Sequence, residues 1–281
     1  MCNSYKVAHF LLQAFSALFN FIGVAHFRYK SLFNITGVLL KYFVQLCGLK
    51  PADRFAKKIM SINKENYKSI LKELNNKATL VAVSKTKPVE DIQALYHSGQ
   101  RDFGENYVQE LVDKYEQLPE DIRWHFIGHL QSNKVKFIAP FVYLIHGVDS
   151  INLLKEINKQ AAKNNRVINC LLQVYIAKEE TKFGFDEHEL KQLNGLPELK
   201  NISIVGLMGM ASFSNDMNLV RSEFKNLKSI FDSNAKLSTT NYHLSTLSMG
   251  MSNDYKIALE EGSNMVRIGS LLFGERNYKS S

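Results

Sequence analysis

Cysteine, proline and tryptophan are scarce in this sequence, at 3, 5 and 1 of 281 residues. Three cysteines cannot build a disulfide framework, so a reducing compartment is expected and the fold must rely on an ordinary core. Five prolines and 15 glycines exclude collagen-like and low-complexity chains. Charged residues at 22% and hydrophobic ones at 45% exclude a largely disordered chain and a polytopic membrane protein. Acid is the scarcer sign: 27 Asp and Glu stand against 35 Lys and Arg, a formal net charge of +8. Such an excess points to nucleic acid or an anionic membrane only if it is spread over the folded surface.

The charge is not spread. Residues 1–59 hold Lys6, Arg28, Lys30, Lys41, Lys50, Arg54, Lys57 and Lys58 against the single acid Asp53. The remainder is within one charge of neutral. Cys2, Cys47 and eight of the 18 phenylalanines also lie in this front segment. The composition shift sets the domain boundary at 59/60. Val7–Phe27 carries no formal charge and is long enough to cross a bilayer, but Phe dominates it and His9, Gln13 and Asn20 interrupt it. The second apolar stretch, Ser31–Leu49, contains Lys41. A secretory signal fits poorly, with a lone Lys6 and no small-x-small cleavage site. The segment is acid-poor like a mitochondrial presequence, but its bases are sparse for one. Met60 opens an ordinary amphipathic helix. The expectation is therefore that residues 1–59 are upstream translation outside the working protein, with Met60 as the true start. The alternative is an anchor or targeting segment.

From Met60 onward, short apolar runs alternate with helical patterns. The pattern predicts a helix over Lys64–Leu74, then strands over Ala78–Ser84, Asp102–Gly104, Trp124–Gly128, Tyr143–Val148, Val167–Ile176, Ile202–Leu207, Tyr242–Leu247 and Met265–Ile268. Between them it predicts helices near Val89–His97, Tyr107–Tyr115, Ser132–Ile138, Ile151–Lys163, Glu187–Leu193, Met217–Ser233 and Asp254–Glu261. Strands that read as continuous apolar runs belong to a parallel sheet covered on both faces. Eight βα units predict an α/β fold, a single-domain (β/α)8 TIM barrel over residues 60–281. An open doubly wound sheet is the competing arrangement.

Barrels of this kind keep their working groups at the C-terminal strand ends, often with a phosphate beyond strands seven and eight. Strand one ends in Ser84-Lys85-Thr86-Lys87-Pro88, and a period of two puts Val81, Val83, Lys85 and Lys87 on one face. A lysine that continues a core face is costly unless paired or neutral, and one so held suits Schiff-base chemistry. Spacing does not choose between Lys85 and Lys87. The strand-seven end, Ser248-Met249-Gly250-Met251-Ser252-Asn253, and the strand-eight end, Arg267-Ile268-Gly269-Ser270, both combine Gly with Ser. Such turns let a backbone approach an anion and add hydroxyl donors, with Arg267 beside one of them. A lysine facing an anion cup across a barrel mouth is the layout that pyridoxal 5′-phosphate (PLP) requires.

Seven stretches carry a specific resemblance: AVSKTKP at 82–88, FGENYVQE at 103–110, WHFIGHLQSNK at 124–134, TKFGF at 181–185, GLMGMASF at 206–213, LSMGMSNDY at 247–255 and VRIGSLLFGER at 266–276. On these motifs the body resembles the YggS/PROSC family, the PLP-binding homeostasis proteins. The resemblance implies a barrel of the type III PLP class, like the barrel domain of alanine racemase. It also implies that Lys85 holds PLP as a Schiff base and that Asn106 lies near the cofactor ring. Ser252, Gly269 and Ser270 would contact the phosphate, with Met249, Gly250 and Arg267 lining the same side. Lys182 matches a family lysine considered in cofactor handling. The family commonly has Thr at the position of Ser270, and the hydroxyl is kept. Residues 1–59 have no counterpart in the family pattern.

The resemblance implies a cytoplasmic monomer that carries PLP to PLP-dependent apoenzymes without substantial turnover and without catalytic residues. The chain ends at Ser281, which leaves no room for the second, β-rich domain that completes a type III racemase. A Schiff base without an opposing proton donor is poor at racemisation. A PLP-dependent racemase or lyase is the rival reading. A nucleic-acid partner is not expected, because the near-neutral body lacks a basic stripe with interleaved aromatics. A membrane partner depends wholly on residues 1–59. His125 and His129 stand i, i+4 but not on a helix, so no metal site is expected. Cys170 and the methionines at 208, 210, 249 and 251 read as packing residues. N-terminal sequencing of the native protein should find a chain that starts at Met60; a mature chain containing Val7–Phe27 would refute the boundary.

Overall fold

Helix formation starts at a capping asparagine. Asn63 accepts the Asn66 N–H through Oδ1 at 2.9 Å, a cap worth about 1 kcal/mol. The helix it opens, α1 (Lys64–Leu74), buries Tyr67, Ile70 and Leu74 and stops at Asn75, whose φ of 45° is left-handed. The computed structural model describes residues 62–176, 184–192, 199–235 and 242–274. The predicted segment 1–59 lies outside the described residues.

After α1 come β1 (Thr79–Val83), α2 (Val89–Tyr96), β2 (Asp102–Glu105), α3 (Val108–Gln117), β3 (Arg123–Phe126), a 3₁₀ turn (Ser132–Lys134), α4 (Val135–Ile138) and β4 (Leu144–Val148). Then follow α5 (Ile151–Lys163), β5 (Ile168–Gln173), α6 (Glu187–Gln192), β6 (Ile202–Met208), α7 (Met217–Ala235), β7 (Tyr242–Ser248), α8 (Tyr255–Glu260), β8 (Met265–Ile268) and α9 (Ser270–Phe273). The strands pair in sequence order, every pair parallel, and β8 pairs back onto β1. The protein is thus a closed (β/α)8 TIM barrel, and the open sheet is excluded. The expected strand over Val167–Ile176 is shorter: Val167 is exposed, and beyond Gln173 the chain forms only an isolated bridge, Val174 with Phe185, while the Val174 N–H still donates to the Met208 carbonyl. The expected helix over Ser132–Ile138 is a 3₁₀ turn leading into a single α-turn, and α9 is an addition that the pattern did not reveal.

Alternation along the strands makes two cores. Residues of one parity, including Leu80, Ala82, Phe103, Trp124 and Ile268, pack outward against the helices. Those of the other parity, Val81, Leu144, Leu171, Met208 and Met265, form a small apolar layer inside the barrel. Cys170 is buried in the outer core. Among the described residues no helix is long and apolar enough to cross a membrane. No cluster of three metal-ligating side chains occurs among them either.

Candidate functional site

The C-terminal ends of the strands open into a cavity of about 740 Å³. Its wall includes Lys85 and Lys87 from the loop after β1, Asn106 just beyond β2, Ser252 from the loop after β7, Arg267 from β8, Gly269 between β8 and α9, and Ser270 from α9. Six of the residues singled out in the sequence, Lys85, Asn106, Ser252, Arg267, Gly269 and Ser270, therefore converge. Met249 and Gly250 are not in this wall. Met249 is fully buried in the outer core, because alternation past Ser248 turns it away from the barrel axis. Gly250 shapes the turn: its φ is +95°, and a Cβ there would lie 2.6 Å from that of Ala258. Lys182 lies outside the described residues.

The loop that carries Lys85 is clamped from behind. Buried Lys114, on α3, donates to the Ser84 carbonyl at 2.8 Å and to the carboxylates of Glu105 and Glu110, both at 2.7 Å. Ser84 Oγ donates to Glu105 Oε1 at 2.6 Å, and the Thr86 N–H donates to Glu110 Oε1 at 2.6 Å. Thr86 itself is held at a φ of 65°, a left-handed conformation unusual for a β-branched residue. Burial pushes the Glu105 carboxyl up to about 7, against the opposing pull of Lys114 and Ser84. Its Oε2 has no partner. Of the two lysines, Lys87 donates through Nζ to the carbonyls of Phe273 at 2.7 Å and Gly274 at 3.3 Å. Two of the three donors of this ammonium are thus spent at the end of α9.

The loops after β7 and β8 are tied together by the Gly269 N–H, which donates to Ser252 Oγ at 3.3 Å. Asp254 also lines the cavity, where a carboxylate would oppose an anion. It is turned onto its own loop, accepting the Met251 N–H, and burial raises its pKa. Arg267 is fully buried beneath them. Burial lowers its guanidinium to about 10. It donates through Nη1 to the Ser248 carbonyl at 2.9 Å and hydroxyl at 2.7 Å, and through Nη2 to the Gly209 carbonyl at 3.1 Å.

Asn106 is positioned by a close backbone approach. A Cβ on Gly128 would stand 2.3 Å from the Asn106 carbonyl oxygen, so only glycine fits there. The Asn106 side-chain Oδ1 is buried and has no hydrogen-bond partner among the described residues. A buried carboxamide oxygen left unpaired beside a cavity is an acceptor available to a ligand. Together these groups offer an amine-bearing residue, paired hydroxyls, a buried cation and an open acceptor, a set suited to a small anion that also carries a carbonyl.

Two parts of this assembly went unread in the sequence. The clamp of Lys114, Glu105 and Glu110 had a local signal: Glu110 and Lys114 stand i, i+4 on a helix that follows a strand ending in an acid. The polar residues inside the barrel, His125 and His146 among them, occupy inward positions of strands whose other inward residues are apolar. That parity was visible, but their partners were not.

Comparison with known proteins agrees with this geometry. The profile of the family described as "Alanine racemase, N-terminal domain" matches residues 62–277. A pyridoxal phosphate homeostasis protein of Aquifex aeolicus is 45% identical over 205 residues, covering 72% of this chain and 89% of that one. PipY of Synechococcus elongatus PCC7942, solved with PLP bound, superposes with a TM-score of 0.69 at 33% identity, covering 75% of this chain and 99% of that one. The alanine racemase of Bartonella henselae, solved with covalently bound pyridoxal phosphate, shares the barrel fold at a TM-score of 0.56 and 17% identity, covering 75% of this chain and 59% of that one.

Gly128→Ala should cost about 1–3 kcal/mol of stability through overpacking against Asn106; an unchanged urea midpoint would contradict that contact. Glu105 supplies a pH test. Its folded pKa lies above its unfolded value, so its contribution is fully present below about pH 4.5 and lost as pH rises through about 7. Wild type should therefore lose stability relative to Glu105→Gln over that window in denaturant unfolding, and a flat difference would count against the buried, strained carboxyl.

Proposed function

This chain belongs to the family of the alanine racemase N-terminal domain and the pyridoxal phosphate homeostasis proteins, and on that premise we propose that it binds PLP at the barrel mouth and serves intracellular PLP homeostasis. The supporting observation is the convergence of Lys85, Asn106, Ser252, Arg267, Gly269 and Ser270 on one cavity. The unpaired Asn106 oxygen fits a bound group that brings its own donor or polarised edge. Bound PLP supplies an aldehyde that condenses reversibly with a primary amine, with loss of water, and can be passed to another amine.

Within the protein, Lys85 is the amine assigned to that linkage on the strength of the AVSKTKP motif it occupies and of its place in the cavity wall. The clamp behind Ser84 and Thr86 fixes the loop from which Lys85 projects. The hydroxyls of Ser252 and Ser270 take the phosphate, and Gly269, with no side chain, keeps the end of β8 close against Val83. Arg267 adds a fixed positive charge from below. Met249 and Gly250 support this cup from behind. Lys182 is assigned a second cofactor-handling role on the strength of the resemblance alone.

A carrier rather than an enzyme is supported by what else lines the cavity. Its charged side chains among the described residues are Lys85, Lys87, Asp254 and Arg267. Lys87 and Asp254 are turned to backbone groups, so neither stands ready as the proton donor and acceptor that racemisation needs. The reading extends to a cytoplasmic monomer that delivers PLP to apoenzymes.

Purified protein with PLP should show a visible absorbance band that borohydride abolishes, and peptide mapping should find the reduced adduct on Lys85. An adduct elsewhere overturns the assignment. Solvent-deuterium exchange into an amino acid, lost in Lys85→Ala, would favour a racemase or lyase instead.

A further inference from the structure

Most barrel interiors of this type are filled with apolar layers. Here a line of polar side chains runs through the apolar layer, from the N-terminal mouth to the floor of the cavity. Asp102 opens β2 and is paired with Arg123, which opens β3. Asp102 Oδ1 lies 3.0 Å from His125 Nε2. His125 Nδ1 lies 2.9 Å from His146 Nε2, and His146 Nδ1 lies 3.3 Å from Ser248 Oγ. Ser248 Oγ receives Arg267 Nη1 at 2.7 Å. Five strands contribute one residue each, and all five side chains are buried.

The two ends decide where every proton in this line sits. A guanidinium has no acceptor, so Arg267 must donate to Ser248. An ionised carboxylate has no donor, so Asp102 must accept from His125. Burial opposes ionisation of Asp102, but hydrogen bonds from Arg123 and His125 outweigh it and hold the pKa below the ordinary range. Burial also lowers the pKa of His125 and lowers that of His146 further, so both rings are neutral. A neutral His125 that donates from Nε2 accepts at Nδ1, so His146 donates from Nε2. His146 then accepts at Nδ1, and the Ser248 hydroxyl must point at it. The bonds therefore run one way, from Arg267 through Ser248, His146 and His125 to Asp102.

We propose that Ser248, His146, His125 and Asp102 are positioning residues for Arg267, a one-way hydrogen-bond relay through the barrel core that fixes how Arg267 is presented to the ligand cavity. This use of the relay rests on the PLP reading above, whereas the relay itself belongs to the protein alone. Its purpose follows from cost. A buried guanidinium is tolerated only where its donors meet acceptors; the carbonyls of Ser248 and Gly209 are fixed, and the Ser248 hydroxyl is the acceptor of the three that can rotate. A serine whose own proton is directed to His146 presents its lone pairs to Arg267 in one arrangement. Asp102, at the opposite mouth, holds that arrangement by fixing the tautomer of His125.

Nitrogen NMR of apo-protein with ¹⁵N-labelled histidine, with signals identified by His125→Gln and His146→Gln, should show both rings as neutral Nε2–H tautomers. In Asp102→Asn only one of the two atoms that face Arg123 and His125 remains an acceptor, so His125 Nε2–H is no longer the one favoured form and Nδ1–H tautomers should become populated in both rings. Ser248→Ala should weaken PLP about tenfold and shift its absorbance maximum, and Ser248→Thr, which keeps the hydroxyl, should restore both. An Nδ1–H or charged ring in the wild type overturns the relay. So does a Ser248→Ala protein that matches wild type in PLP affinity and spectrum. If Asp102→Asn does not fold, the wild-type tautomers and the Ser248 pair decide. Failure of wild type to bind PLP would sink the functional reading and leave the tautomers to judge the relay.

Discussion

Closure of the barrel between β1 and β8 is the interaction on which the site depends. Val81 lies beside Arg267 and Ala82 beside Ile268, so the chain's first strand ends against its last. That register brings the loop of Lys85 next to Gly269 and Ser270, which are more than 180 residues away in sequence. It also places Lys87 within reach of the carbonyls at the end of α9, a bond that stitches the seam at its mouth. Without closure there would be a lysine at one sheet edge and an anion cup at the other.

A closed barrel sets a second problem, because its interior excludes water while its working end must hold charge. Two buried networks resolve this differently. Behind β1 and β2, Lys114 gathers two carboxylates and a backbone carbonyl, which compensates one cation and fixes a loop held in a left-handed turn. The arrangement leaves Glu105 under strain, with one oxygen unpaired and its proton affinity raised. Inside the barrel, Arg267 gives its hydrogen bonds to neutral acceptors, and the carboxylate that acts on its charge, Asp254, is not hydrogen-bonded to it and is pushed by burial toward its neutral form. A cation so placed at the floor of a cavity is a device for an anion. Its cost is spread over a line of hydrogen bonds that ends in the Asp102–Arg123 pair at the other mouth.

Much of this was legible in the sequence, and the exceptions share a cause. The eight βα units follow from the switch between a period of two and one of 3.6, and every strand lies within a residue or two of its expected place except β5. There a near-continuous apolar run gives no signal for where the strand stops, and Val174, while still donating to Met208 of β6, also pairs with Phe185. The strand ends that carry Lys85, Asn106, Ser252 and Ser270 could be read from motif and position. Met249 could not be placed by motif, because its neighbours line the cavity while alternation turns it into the outer core.

By itself, then, the sequence determined the element pattern, the closed-barrel class and the strand ends where chemistry gathers, because these depend on local periodicity and on residue types within a few positions. Only the tertiary structure tied Lys87 to the end of α9, turned Met249 away from the cavity, and assembled the line of hydrogen bonds from Asp102 to Arg267. Each of those outcomes is a distance between residues far apart in the chain, such as His146 and Ser248, 102 positions apart and joined by one hydrogen bond. Local pattern says which side of a strand such a residue faces, and barrel closure and strand register determine what it meets there.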